Sequence, residues 1–429
     1  MGTAFKPRRR AWALWGAIAL AVALPGCGSS SSGASATITD TAAVSPVAEV
    51  CTHAALEALE GVAHRVYQES ASGRIVAQAL YRLKSSSALA QAVEGDDQAA
   101  TRRVLGGLLL NQIVSVRVVR DGRTLATIER GMGIAPASGA ILNARGQSVG
   151  TFTVSVQGVN GYAQTVSGLL AAQVVARSGR RQLAATLHPA PKLAKGQGEV
   201  SYRGVSYRVD TFAGNEFPDR PLSISLLVPS SSIATACARR GAAAPSAAEA
   251  QAATLGLVAE RVYYAEHEGS KAELILGYVE RSKAFREAVL AGSATAARAA
   301  IIGFFRSHLH IVRVRVIREG KLLVDVGGPH VLAPIPGTIR NAKGRAVAHF
   351  LLAIQDDLGF QILAHAFTEA QVLMRVGTQQ VMGSLTPGPA KVPDRGRVVY
   401  RGVPYQAYSF DAEAFPSGPL RISLLFPAS

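Results

Sequence analysis

The sequence predicts an α+β protein built from one module used twice, and three observations carry that prediction. The stretches "ILNARGQSVGTFTVSVQ" from Ile141 and "TIRNAKGRAVAHFLLAIQ" from Thr338 are two versions of one pattern. Each has a polar Asn-Ala-basic-Gly turn and then a strand of apolar and β-branched residues ending at Gln157 or Gln355. In both copies, roughly 60 residues of helical periodicity precede residues that alternate apolar and polar, the period of a half-buried strand. The spacing between copies then stays constant at 198 residues, from Asp121 and Glu319 to Phe217 and Phe415. A chain of 429 residues is too long for one core at about 150 residues per domain, and the repeat selects two modules.

The first module, 51–229, opens with "AALEALEGVAHRVY", where Leu56, Leu59, Val62 and Val66 recur at helical spacing. The second, 246–429, answers with "AATLGLVAERVY", so Arg65-Val66-Tyr67 aligns with Arg261-Val262-Tyr263. A second helix carries Val76, Leu80 and Leu83, or Leu274, Tyr278 and Val279; a third starts at the caps Asp96 and Ser293. Hairpins follow, turning at Asp121-Gly122 and Glu319-Gly320. After a loop with Ala135-Pro136 or Ala333-Pro334 comes the repeated strand. A short helical piece carrying Gln173-Val174 or Gln371-Val372 follows, then a strand ending at Leu187 or Leu385. The module closes with the hairpin "YRGVSY" or "YRGVPY", Phe217-Pro218 or Phe415-Pro416, and "ISLLVP" or "ISLLFP". This order predicts helices and one antiparallel sheet per copy. Residues 230–245 are the expected linker.

The N-terminus has basic Arg8 to Arg10, the apolar run "AWALWGAIALAVAL", and "LPGC" ending at Cys27. This is a secretory signal, 1–26, and "LPGC" resembles a bacterial lipobox. The resemblance implies lipidation of Cys27 and an extracytoplasmic protein anchored to the bacterial cell membrane. The apolar run is shorter than the roughly 20 residues a spanning helix needs, which makes a retained helix the weaker alternative. Residues 27–50, rich in Ser, Ala, Thr and Gly, read as a flexible tether. Cys51 and Cys237 each stand near the first helix of a copy. In an oxidising compartment they form a disulfide tying the modules together at their bases, or remain two thiols too far apart to bond.

The helical opening, the hairpins at Asp121-Gly122 and Glu319-Gly320, and the approach to the long strand at Gly146 to Gly150 and Gly344 to Ala348 together resemble the Cache (PDC) family of PAS-like extracytoplasmic sensors. The resemblance covers both modules. It implies a PAS-like antiparallel sheet and a pocket for a small polar molecule such as an amino acid, carboxylate or amine. Most such sensors are anchored by transmembrane helices and signal to a cytoplasmic domain, whereas this chain pairs the modules with a lipobox, so its partner would be a membrane signalling or envelope protein.

Arg117 and Arg315 occupy equivalent strand positions, opposite in direction to Val116/Val118 and Val314/Val316. Each either clamps a carboxylate with its planar fork or coats a solvated sheet face. Tyr207 and Tyr405, with Tyr202 and Tyr400, either line a pocket mouth or pack across a hairpin. Asp356 and Asp357 stand where the first copy has Gly158 and Val159; they either bind an ammonium group, which would make the second module the ligand binder, or lie in a solvated turn. His308, His310, His330 and His349 lack the carboxylate-rich spacing of a metal site, and no metal or other cofactor is expected. No G-x-S-x-G, H-E-x-x-H, P-loop or S-x-x-K pattern is present, so no catalytic residues are assigned and binding without catalysis is expected.

Net charge is +16, and four of the positive charges lie in the leader at Lys6 and Arg8 to Arg10. No basic run is interleaved with aromatics, so a nucleic-acid partner is not expected. The competing reading of the whole chain is an envelope interaction protein that binds another protein or an anionic wall polymer through its basic surface.

Overall fold

A computed structural model describes residues 46–108, 113–193, 198–237, 245–307, 310–329 and 332–428. The signal sequence and Cys27 lie outside these residues. Among the described residues, no helix is long and apolar enough to cross a membrane. These residues form two compact units, 63–229 and 230–428, the second also taking 46–62.

Helix α1 (Pro46–Ser72) contributes its last part to the first unit. Pro46–Val50, expected as the end of the tether, is its first turn, because Pro is accepted where helix N–H groups have no partner anyway. Helices α2 (Arg74–Lys84), α3 (Ser87–Glu94) and α4 (Gln98–Leu108) follow. Ser86 caps α3 by accepting from the Leu89 amide at 3.2 Å. The cap of α4 is Asp97, which accepts from the Ala100 amide at 2.8 Å, and not the expected Asp96. Asp96 instead takes a left-handed conformation, φ 55°, where the chain leaves α3.

Strands β1 (Ser115–Arg120) and β2 (Arg123–Glu129) form the predicted hairpin. Asp121 and Gly122 both have positive φ, 49° and 76°, which gives a turn whose twist matches that of the strands. With β4 (Ala137–Leu142) and β5 (Ser148–Ser155), the first sheet has the order β2-β1-β5-β4, while the short β3 (Gly133–Ile134) between β2 and β4 joins a second sheet. Its inner face, with Val116, Val118, Phe152 and Val154, packs on Leu83, Leu89, Val93 and Leu105 of the helices. Each such side chain, fully buried, is worth about 1.5–3 kcal/mol.

After β6 (Gln157–Gly158) and α5 (Val159–Leu170), the chain builds a second sheet with β7 (Gln173–Ser178), β8 (Arg181–Ala185), β9 (Glu199–Tyr202), β10 (Val205–Glu216) and β11 (Arg220–Pro229). Its order is β6-β3-β10-β11-β7-β8, with β9 on β10. Each copy therefore holds two antiparallel sheets where one was expected. Gln173-Val174, expected as helical, begins a strand. The run Val174–Ala176 is buried between β8 and β11, and a short apolar run of that kind carries no period that separates buried strand from buried helix.

The second unit repeats the plan. The expected linker opens as α6 (Ser230–Cys237), followed by α7 (Ala247–Glu268), α8 (Ser270–Arg281), α9 (Lys283–Leu290) and α10 (Ala294–Arg306). Ser246 and Glu249 form a reciprocal capping box on α7. Strands β12 (Arg313–Arg318), β13 (Lys321–Gly327), β14 (Ile335–Arg340) and β15 (Ala346–Ala353) make a sheet of order β13-β12-β15-β14. Helix α11 (Asp357–Thr368) leads to β16 (Gln371–Val376), β17 (Gln379–Gly383), β18 (Arg395–Tyr400), β19 (Val403–Glu413) and β20 (Pro419–Pro427), in the order β17-β16-β20-β19-β18.

Cys51 and Cys237 are bonded, with their Cα atoms 5.9 Å apart. Cys51 lies within α1 and Cys237 ends α6, and both belong to the second unit. The bond thus closes inside one unit, against Ala54 and Ala250, and does not join two modules at their bases.

The Arg-Val-Tyr signature has a structural job in both copies. The Tyr67 hydroxyl accepts from the Asn215 amide at 2.6 Å, and the Tyr263 hydroxyl accepts from the Glu413 amide at 2.9 Å. Burial pushes the Tyr263 phenol up to about 12, against a smaller lowering by its Glu413 backbone bond; burial raises Tyr67 as well. A raised phenol stabilises the fold fully below its unfolded value near 10, and that stability is lost as pH climbs through the folded value. Stability is therefore expected to fall between about pH 10 and 12, and less steeply in Tyr263→Phe. Denaturant midpoints across that range check this; parallel native and variant profiles would refute it.

Candidate functional site

The outer face of each four-stranded sheet carries the equivalent arginines. In the first unit, Arg117 stands across from Thr127 on β2 and Thr153 on β5, and Thr153 stands across from Ser138 on β4. A bulge between Val118 and Val119 brings Thr124 to the same face. The Arg117 Nε and Nη2 donate to Thr124 Oγ1 at 3.0 and 2.6 Å, and the Ser138 and Thr153 hydroxyls lie 3.0 Å apart. Arg117 is half-buried, and among the described residues no carboxylate pairs with it.

The second unit fills the same positions differently. Asp325 replaces Thr127, Leu351 replaces Thr153 and Pro336 replaces Ser138. Arg313 grips Asp325 with Nε and Nη2 at 2.9 and 2.8 Å, while its guanidinium lies over the Phe415 ring at 4.7 Å. Donation to Asp325, which outweighs the opposing burial, raises the Arg313 pKa above the ordinary guanidinium value. Arg315 reaches the same carboxylate at 3.5 Å. Two arginines share one acid here, and that acid occupies the place a ligand carboxylate would take beside Arg315.

The other predicted residues are not gathered at either face. Tyr207 and Tyr405 belong to the second sheets, where they are buried with Val175, Val200 and Leu227, or with Leu373, Ala407 and Leu425. Their role is packing across the hairpin. Asp356 caps α11, its carboxylate accepting from the Gly359 amide at 2.6 Å; burial raises its pKa and that hydrogen bond partly offsets the rise. Asp357 is buried, only 5% exposed, and accepts from the Leu358 amide at 2.9 Å. Neither aspartate sits in a solvated turn. His308 and His330 lie outside the described residues, and His349 is exposed on β15, near the Thr338 hydroxyl at 3.4 Å. Among the described residues, no three His, Cys, Asp or Glu side chains converge as a metal site would require.

Sequence reasoning passed over Thr124, Thr127, Thr153 and Ser138. The signal was available in the repeat: aligning the copies sets hydroxyls against Leu322, Asp325, Leu351 and Pro336 on alternate strand positions.

No protein-family model matches the chain, and no curated protein matches it. Solved structures that match include the periplasmic domain of Vibrio cholerae LuxQ, at 11% identity over 43% of this chain and 98% of that one, with a TM-score of 0.25. The selenomethionine form of that domain matches at 12% identity, 43% and 96% coverage and a TM-score of 0.24. An extracellular ligand binding receptor from Desulfohalobium retbaense matches at 10% identity, with a TM-score of 0.26; the match covers 41% of this chain and 40% of the receptor. Scores this low argue for neither a shared topology nor a shared function.

Proposed function

We propose that this chain is an extracytoplasmic, lipid-anchored binding protein with tandem Cache-like modules, and that it takes a small carboxylate-bearing molecule on the outer sheet face of its first unit without chemical conversion. The observation that carries this reading is the contrast between two equivalent arginines: Arg315 shares Asp325 with Arg313, whereas among the described residues Arg117 has the Thr124 hydroxyl and no carboxylate. A guanidinium binds carboxylate through paired, charge-assisted hydrogen bonds, which are roughly twice as strong as neutral ones. Thr124 holds the Nε and Nη2 edge of Arg117, and Thr127, Thr153 and Ser138 supply neutral donors beside it. Anchoring through Cys27 would keep the site at the cell surface for a membrane signalling or envelope partner.

A thermal-shift screen against amino acids, organic acids and amines tests the reading, because a ligand bound only by the folded state raises the melting temperature. A carboxylate is expected to raise it in the native chain and in Arg315→Ala but not in Arg117→Ala. A shift lost in Arg315→Ala alone, or none with any carboxylate, would overturn it.

A further inference from the structure

The hairpin of β18 and β19 has an exposed tip whose chemistry differs from that of its counterpart in the first unit. Val399 is 61% exposed and Val403 is 42% exposed, on either side of the Arg401-Gly402 turn. Arg397 is exposed two residues before Val399, and among the described residues it has no ion-pair partner. The Arg401 guanidinium lies 5.1 Å from the centre of the Tyr400 ring, and the Tyr400 hydroxyl donates to the Pro387 carbonyl, which fixes the base of the tip. Acids that would repel an anionic partner are occupied: Asp394, just before β18, and Asp411, farther along β19, are both paired with Arg421. The tip thus presents apolar side chains at its point and, at its rim, two arginines that have no ion-pair partner among the described residues.

The first unit keeps part of this chemistry, with Val205 42% exposed and the Arg203 guanidinium 5.2 Å from the centre of the Tyr202 ring, and lacks the rest. Glu199 stands for Arg397, Ser201 for Val399, Ser206 for Pro404 and Arg208 for Gln406. There Glu199 pairs with Arg208 at 3.9 Å and accepts from the Ser206 hydroxyl, so an acid and its partner stand where the second unit has Arg397 and Gln406. The two hairpins thus share the Arg-Gly turn and the valine after it, and differ at the positions of Arg397 and Val399.

We infer that the β18–β19 hairpin of the second unit docks on an anionic lipid surface, with Val399 and Val403 entering the headgroup region and Arg397 and Arg401 holding lipid phosphates. Apolar side chains at a tip gain by leaving water, and arginine reaches outward from a buried stem to a charged headgroup. Each arginine near such a surface strengthens binding about fivefold, and salt weakens that share. This contact is independent of the carboxylate site on the first unit.

Hydrogen exchange of the full chain on vesicles tests it, comparing phosphatidylcholine alone with phosphatidylcholine mixed with phosphatidylglycerol. Amides of 397–404 are expected to exchange more slowly on the mixed vesicles only, with protection fading at high salt, while those of 199–206 stay unchanged. The Arg397→Glu/Val399→Ser variant carries the first-unit residues and should lose the protection while keeping the native melting temperature. Equal exchange of 397–404 on both vesicles, equal protection of 199–206, or protection retained in the variant would overturn the inference. A variant with a lowered melting temperature is replaced by Arg397→Gln, which must reduce protection for the inference to stand.

Discussion

Removing the disulfide is expected to cost the second unit about 2–4 kcal/mol, the usual range for such a bond. Cys51 and Cys237 are 186 residues apart in sequence, so the bond restrains a long segment of the unfolded chain. The chain-entropy account puts a loop of that size near 5 kcal/mol, and strain or residual structure in the unfolded state reduces the measured figure. Because both cysteines lie in the second unit, the loss should fall on the transition of that unit and leave the carboxylate-dependent shift at Arg117 in place. Denaturant titration of Cys51→Ser/Cys237→Ser checks this. An unchanged stability, or a first unit that melts early in step with the second, would count against the assignment of the bond to one unit.

Gly256→Ala is expected to destabilise the second unit by about 1–3 kcal/mol, although Ala for Gly inside a helix ordinarily stabilises by about 1 kcal/mol. A Cβ at position 256 of α7 would lie 2.1–2.5 Å from Cγ and the two Cδ atoms of the Tyr408 ring. Those atoms are at the stem of the ring and cannot swing aside alone. Tyr408 is also held at its far end, where its hydroxyl donates to Glu260 Oε2 at 2.6 Å, and on its face, where the Arg395 guanidinium stacks at 3.3 Å. Relieving the clash therefore disturbs a hydrogen bond and a cation–π contact together. A variant as stable as the native chain by thermal and denaturant unfolding would show that α7 and β19 separate more freely than their packing implies.

The helices and the two long hairpins were legible because their signals are local. The helical spacing in "AALEALEGVAHRVY" and "AATLGLVAERVY" and the Asp-Gly and Glu-Gly turns each constrain only a few neighbouring residues. The division of strands between two sheets was not legible. Val174–Ala176 and the strands beside it are apolar on both sides, and nothing within such a run says which partner it will pair with. The cap of α4 moved from Asp96 to Asp97 for a similar reason, since two adjacent aspartates can serve and the geometry leaving α3 chooses between them.

The candidate site divides in the same way. By itself the sequence determined that the chain is a duplicated α+β module and that Arg117 and Arg315 are equivalent positions facing away from a core. Repetition and alternation are properties of order along the chain. Only the tertiary structure decided that the two arginines differ in availability, that Tyr207 and Tyr405 pack in another sheet, that Asp356 caps a helix, and that Cys51 and Cys237 meet within one unit. Each depends on which side chains from distant strands arrive beside a given residue. A charge 10 residues away, such as Asp325 from Arg315, neutralises its partner only when register brings the two together.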